Sequence, residues 1–113
     1  MKSNPNKKLT FILPIKERRD FTLRFFKYIS QIKFPFDLFI ADGSKKKISS
    51  EYLEILKKSK IKFYYHKFPF DVNYVTYQKK ILDSLKFIKT KYVALFSDDD
   101  FPIIYSFKKL ISF

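Results

Sequence analysis

Residues 37–44 read DLFIADGS, and this stretch indicates the fold class of the chain. Residues 38–41 form an uninterrupted apolar run, as expected for a strand of a parallel sheet that is buried on both faces. The run stops at Asp42, and Gly43, the only glycine of the chain, favours a tight turn there and a close approach to a ligand. Because open α/β sheets bind ligands beyond the carboxyl ends of their strands, residues 42–44 are candidate site residues.

The same strand pattern recurs on both sides of this stretch. Apolar segments suited to strands occupy residues 9–13, 61–65 and 92–96, and the first of them stops at Pro14. Between the strands, apolar residues recur at spacings of three and four, which is typical of amphipathic helices. The alternation predicts an α/β fold, with a Rossmann-like, mostly parallel sheet of about four strands and helices on both faces.

The predicted helices cover residues 20–32 and 49–58, a segment that follows Asn73, and a segment after Pro102. Asp20, one of Ser49 and Ser50, and Asn73 are the expected N-caps. The expected apolar stripes are Phe21, Phe25, Ile29 and Ile32 in the first helix and Tyr74, Tyr77, Ile81, Leu85 and Ile88 in the third. We expect a basic tail over residues 1–8 and one domain over residues 9–113.

Composition excludes several classes of function. The absence of cysteine excludes a disulfide scaffold, a thiolate metal site and a cysteine nucleophile, and a single glycine excludes the G-x-G-x-x-G and Walker A phosphate loops. The formal net charge of +13 is compatible with an anionic partner, but a composition enriched in Lys, Ile, Phe, Tyr and Asn is the favoured explanation. Arginine occurs only at positions 18, 19 and 24, which argues against a nucleic-acid binder that reads sequence.

An acidic triplet, Asp98-Asp99-Asp100, follows the last predicted strand after Ser97. Adjacent carboxylates repel one another unless something compensates for their charge, and Mn²⁺ or Mg²⁺ prefers such oxygen ligands. A solvated acidic turn, or caps for the next helix, is the alternative. The position at the end of an apolar strand favours a divalent-metal site.

Three motifs in this order resemble those of family 2-like glycosyltransferases, which have the GT-A fold. They are LPIKER at residues 13–18, DGS at residues 42–44 and KYVALFSDDD at residues 91–100, and the resemblance covers residues 8–113. It implies a metal-dependent transfer of sugar from a nucleoside-diphospho-sugar, with a UDP-sugar as the expected donor, to a glycan or lipid-linked acceptor in polysaccharide biosynthesis. Such an enzyme would be cytoplasmic, with peripheral contact at the inner membrane surface as an option.

The resemblance also implies roles for individual residues. Asp42, with Gly43 and Ser44, would bind the nucleotide base or ribose, and Asp98 and Asp100 would form the D-x-D pair, with Asp99 between them, that holds Mn²⁺ or Mg²⁺ on the diphosphate. The base pocket would be lined by Pro14, Lys16 and Glu17. Further contacts to the diphosphate would come from Lys67, Lys79 or Lys80.

The chain departs from the family pattern in two places. Ala41 replaces the first of two acidic residues that often precede Gly-Ser, and residues 101–113 contain no Asp, Glu or His that could act as the catalytic base. We therefore expect a truncated or split donor-binding half, completed by a C-terminal half or a partner chain. The alternatives are a nucleotide-binding remnant without activity and a basic module for anionic partners such as nucleic acid or anionic membrane. The basic module gives no reason for the acidic triplet, so we expect no nucleic-acid partner.

Overall fold

The predicted alternation of strands and helices is confirmed in a computed structural model, which describes residues 9–32 and 34–97. The elements in chain order are β1 (Leu9–Ile15), α1 (Arg19–Gln31), β2 (Asp37–Asp42), α2 (Ser50–Lys58), β3 (Phe63–Lys67), α3 (Tyr74–Leu85) and β4 (Tyr92–Leu95). Every pairing in this sheet is parallel, and the strand order is β3-β2-β1-β4. The α/β fold class is therefore confirmed, while the predicted tail over residues 1–8 and the helix after Pro102 lie outside the described residues.

Side chains of the two central strands build a core on each face of the sheet, because successive residues of a strand point to opposite sides. On one face, Phe11 and Leu13 of β1 pack with Phe25 of α1 and Leu56 of α2. The opposite face carries a smaller cluster around Ile12, Phe39, Ala41 and Phe68, against which Ile81 of α3 packs. Helices thus cover both faces, as predicted.

The strand order reverses at β1, because β2 and β3 lie on one side of it and β4 on the other. Ile12 pairs with Leu95 across β1 and β4, and the carbonyl of Ile12 accepts a hydrogen bond from the Phe96 N–H at 3.0 Å. The carboxyl ends of β1 and β4 therefore open at the same sheet edge. A reversal of strand order is the usual position of a ligand crevice in such sheets.

The first helix differs from its prediction in two details. Arg18 rather than Asp20 occupies the N-cap, and no side chain caps that end, so Asp20 lies within the first turn, where its charge suits the positive helix end. Phe21 is 38% exposed and lies under the guanidinium groups of Arg18 and Arg24. The buried stripe instead contains Thr22 and Phe26 beside the predicted Phe25 and Ile29.

Two other predictions are corrected by tertiary contacts. The third strand begins at Phe63 rather than Ile61, because its register is fixed by pairing from Leu38 with Phe63 to Asp42 with Lys67. The buried residues of α3 are Lys80 and Ser84, whereas the predicted stripe residues Tyr74 and Leu85 are exposed.

The last strand is also less buried than its apolar sequence predicts. Tyr92, Val93 and Leu95 of β4 are exposed, and β4 is the outermost strand on its side among the four that the structure describes. Within the described part of the chain, no helix is long and apolar enough to cross a membrane.

Candidate functional site

Asp42, at the carboxyl end of β2, organises the turn that follows it. Its carboxylate is fully buried and accepts hydrogen bonds from the Ser44 N–H at 2.9 Å, the Ile48 N–H at 3.2 Å and the Tyr65 hydroxyl. Burial, and then the hydrogen bond to Asp42, raise the pKa of Tyr65, so its hydroxyl stays protonated and remains a donor. Asp42 thus has a structural role in this arrangement, and its predicted contact with a nucleotide stays a prediction.

Glu17 joins the loop after β1 to the loop after β2. Its N–H donates to Ser44 Oγ at 2.8 Å, and its Oε1 accepts from the Lys45 N–H at 2.6 Å. The Glu17 backbone has φ of 53°, a left-handed conformation that residues other than glycine adopt at a cost. These contacts bring the predicted site residues Glu17, Asp42 and Ser44 together at one sheet edge.

Gly43 leaves space for the carboxylate of Asp71 rather than for a ligand. A Cβ atom at position 43 would lie 2.8 Å from Asp71 Oδ1 and closer still to Asp71 Cγ and Oδ2. The backbones are also joined, because the Asp71 N–H donates to the Gly43 carbonyl at 3.0 Å. The φ of Gly43 is not positive, so the close approach of Asp71, and not a special backbone conformation, is what requires glycine here.

Asp71 and Lys80 form a buried ion pair behind Gly43. Lys80 Nζ donates to Asp71 Oδ2, and the two side chains are only 4% and 2% exposed for Asp71 and Lys80 respectively. Burial lowers the pKa of Lys80, while the charge and hydrogen bond of Asp71 act in the opposite direction. Removing one partner would leave an uncompensated buried charge, so each holds the other in place.

A cleft of about 460 Å³ opens beside this pair at the carboxyl ends of β1 and β4. It lies at the reversal of strand order, where ligands of such sheets bind. Its walls are formed by Pro14, Ile15, Lys16, Arg18, Asp71, Asn73, Tyr74, Tyr77, Lys80 and Ser97. Three of these residues are cationic, and Lys80 Nζ lies 5.3 Å from the centre of the Tyr77 ring, which stacks on Tyr74.

Burial, followed by the negative charge of Asp71, raises the pKa of Tyr77. The hydroxyl therefore remains protonated at neutral pH and can donate a hydrogen bond within the cleft. Together the wall offers cations for an anionic group, rings for an apolar or planar group and polar atoms for orientation. Known small-molecule sites typically combine such groups.

Among the three lysines predicted to contact a diphosphate, only Lys80 lines this cleft. Lys67 donates to the Phe68 carbonyl at 2.6 Å, and Lys79 is exposed beside a separate groove of about 200 Å³ that Lys80 also borders. His66 contacts the rings of Phe68 and Phe87 at 4.5 and 5.0 Å between centroids. The structure therefore brings Lys80, Pro14 and Lys16 together, and places Lys67 and Lys79 elsewhere.

The predicted metal ligands Asp98, Asp99 and Asp100 lie outside the described residues. Across residues 9–32 and 34–97, no group of three or more His, Cys, Asp or Glu side chains is placed to hold a metal ion. Ser97, which directly precedes that triplet in the sequence, lines the cleft.

Asp71 and Tyr77 are site residues that sequence reasoning missed. The sequence pattern places Tyr77 in an apolar stripe, and it gives Asp71, which lies between the third predicted strand and the helix after Asn73, no role. No sequence signal links Asp71 to Gly43, because the two residues are far apart in the sequence and the φ of Gly43 is known only from the structure. That partnership is visible only once β2 and α3 are placed side by side.

No protein-family model matches this chain, and no curated protein matches it. The resemblance to glycosyltransferases therefore depends on the sequence motifs alone. Structural support for a function comes from the arrangement of the cleft.

Proposed function

We propose that this chain binds a nucleoside-diphospho-sugar with a divalent cation and forms the donor-binding half of a glycosyltransferase. The acceptor would be a glycan or a lipid-linked glycan. The observation that carries the proposal is the position of the cleft: it lies where the strand order reverses, and Ser97 on its wall leads directly into the acidic triplet.

The charge of the cleft wall suits a diphosphate. Lys16, Arg18 and Lys80 are the cationic residues of the wall, and Lys16 Nζ also lies 4.8 Å from the centre of the Phe70 ring, which orients that side chain. Because the chain has a single glycine, it has no glycine-rich loop of backbone N–H groups to hold phosphate. Side-chain cations and a metal ion can neutralise the phosphate charge without such a loop.

The size of the cleft also suits a small ligand. Its volume of about 460 Å³ falls within the range of roughly 300–1,000 Å³ that is usual for small-molecule sites. Tyr74 and Tyr77 provide stacked rings on one side, with centroids 6.1 Å apart. A sugar or a base can pack against such rings.

The cation would be held by Asp98 and Asp100, with Asp99 between them. These are hard oxygen ligands of the kind that Mn²⁺ and Mg²⁺ prefer. When bound, the cation would supply Lewis-acid stabilisation of the charge on a departing nucleoside diphosphate. The chain's own cations on the cleft wall, Lys16, Arg18 and Lys80, would orient the phosphates beside it.

Calorimetric titration of the protein with UDP, with and without Mn²⁺, tests this proposal. We expect Mn²⁺ to strengthen binding, and the double substitution Asp98→Ala/Asp100→Ala to weaken the Mn²⁺-dependent affinity by about tenfold or more, since each 1.4 kcal/mol is a factor of ten.

The double substitution Glu51→Ala/Glu54→Ala is a matched control, because it removes the same charge from the exposed face of α2. UDP binding that does not depend on Mn²⁺, or equal losses in both double variants, would contradict the proposal.

A further inference from the structure

Asp71 uses only one of its two carboxylate oxygens within the described part of the protein. Oδ2 binds Lys80, whereas Oδ1 is buried and accepts no hydrogen bond from any described residue. An ionised carboxylate has about four acceptor sites, and leaving a buried one unused is costly. The ion pair with Lys80 therefore leaves part of the hydrogen-bond acceptor capacity of Asp71 unused.

The presence of this carboxylate constrains two other positions of the chain. Position 43 must be glycine to leave space for it, and α3 must bury a lysine to neutralise it. An apolar pair of similar volume would fill the same space without an unpaired acceptor, and such replacements are often neutral or stabilising. A role for the second oxygen in binding would explain why a carboxylate stands there.

The charge on Asp71 restricts what can approach Oδ1. A carboxylate oxygen only accepts hydrogen bonds, and it repels phosphate oxygens. Lys80, which contacts Asp71 directly and lines the same cleft, attracts phosphate. The two residues together therefore suit a ligand that carries a hydroxyl donor close to an anionic group.

We propose that Asp71 Oδ1 accepts a hydrogen bond from a hydroxyl of the bound nucleotide-sugar, and so selects ligands with a sugar hydroxyl next to the diphosphate. This inference rests on the proposed function, and it names the specificity residue of that site. The hydroxyl belongs either to the ribose or to the transferred sugar, because both flank the diphosphate. Asp71 itself lines the cleft, so a ligand bound there lies beside this carboxylate.

The test compares Mn²⁺-dependent affinities for three probes: UDP, 2′,3′-dideoxy-UDP and UDP-glucose. The ratio of UDP to dideoxy-UDP reports the ribose hydroxyls. The ratio of UDP-glucose to UDP reports the glucosyl group as a whole, and the part of that ratio that is lost when Asp71 is replaced reports a hydroxyl of the sugar. A ratio between two ligands cancels any general loss of affinity or stability, which a purely structural role of Asp71 would produce. In the wild-type protein we expect at least one ratio to be about tenfold or more, the size of one charge-assisted hydrogen bond.

Two variants test the contribution of the Asp71 carboxylate. Lys80→Gln keeps a hydrogen-bond donor for Asp71 Oδ2. The double variant Asp71→Asn/Lys80→Gln differs from Lys80→Gln only at residue 71, where an amide nitrogen replaces one carboxylate oxygen. We expect the wild-type ratio to survive in Lys80→Gln and to fall to about threefold or less in the double variant, since a neutral hydrogen bond is roughly half as strong as a charged one.

Each outcome decides the matter. Ratios near one in the wild-type protein, or an unchanged ratio in the double variant, overturn the role of Asp71 while leaving the proposed function intact. A wild-type protein that binds none of the probes with Mn²⁺ overturns the proposed function, and this inference with it. If either variant does not fold, Asp71→Asn with Lys80 retained takes its place: a ratio that falls to about threefold or less supports the role of Asp71, and an unchanged ratio overturns it.

Discussion

Gly43 and Asp71 depend on each other at the scale of single residues. The carboxylate of Asp71 occupies the space where any other residue at position 43 would place its Cβ, and Lys80 neutralises that carboxylate. One missing methyl group thus allows a buried charge pair to form beside the cleft. The arrangement predicts that a small substitution at position 43 acts through position 71.

The substitution Gly43→Ala should lower the free energy of unfolding by about 1–3 kcal/mol, because the new methyl group overpacks a buried contact. Urea denaturation followed by circular dichroism measures the change. In the background Asp71→Ala/Lys80→Met, which removes the carboxylate and its partner, the same substitution should cost much less. An equal cost in both backgrounds would mean that glycine is needed at position 43 for another reason.

The hydroxyl of Tyr65 should contribute to stability through Asp42. Tyr65→Phe removes a donor to a buried carboxylate, so we expect a loss of about 2 kcal/mol in the free energy of unfolding. Tyr64→Phe is the matched control, because the neighbouring ring is 51% exposed and should lose about 0.5 kcal/mol or less. Similar losses in the two variants would argue against a structural role for the Asp42 contact.

The same hydroxyl predicts a dependence on alkaline pH. The folded protein raises the pKa of Tyr65 above the ordinary value of 10.0, so the stabilisation from the protonated side chain is complete below pH 10 and is lost as the pH rises beyond it. Chemical denaturation at a series of pH values above 10 should show a steeper fall for wild type than for Tyr65→Phe. Parallel curves would exclude this contribution.

Helix α3 is the element that carries Tyr77 and Lys80 into the cleft, and a capping box fixes its start. Asn73 Oδ1 accepts from the Thr76 N–H at 3.0 Å, and Thr76 Oγ1 accepts from the Asn73 N–H at 3.1 Å. Asn73→Ala should therefore cost about 1 kcal/mol in the free energy of unfolding. Gln78→Ala, on the exposed side of the same helix, should change it little, and thermal denaturation of both variants distinguishes the cap from a general effect of helix mutation.

The elements themselves could be predicted because local patterns agree with the fold. The apolar run at residues 38–41 became a buried strand, and Asn73 and Ser49 capped helices as expected. What failed depended on tertiary partners: the register of β3 is set by β2, and Lys80 is buried only because Asp71 neutralises it. The periodicity of apolar residues in the sequence does not identify a buried lysine.

The candidate site was predicted only in part, because some of its residues also depend on tertiary partners. The ends of β1 and β2 were identified from strand boundaries, and they do lie together. The cleft opens between the ends of β1 and β4, where site residues were also predicted, but Asp71 from the loop after β3 and Tyr77 from α3 were not predicted to line it. Sequence spacing alone does not indicate which strands become neighbours.

At the scale of the whole molecule, the net charge of +13 raises the question of non-specific anion binding. Binding driven by counterion release weakens steeply with salt, whereas a site built on a cleft and a metal ion depends less on ionic strength. We expect the Mn²⁺-dependent affinity for UDP to fall with salt more shallowly than any affinity for a short single-stranded RNA, as measured by fluorescence anisotropy. RNA that binds tightly and displaces UDP would favour the basic module instead.

The position of the bound cation tests the central claim most directly. Paramagnetic line broadening by Mn²⁺, measured on backbone amide signals in the presence of UDP, reports which residues lie nearest the ion. We expect the amides of Ile15, Lys16 and Ser97, at the carboxyl ends of β1 and β4, to broaden at the lowest Mn²⁺ concentration. Broadening that begins instead at Thr10, Lys62 and Thr90, which border a groove lined also by Asp37, would contradict the account.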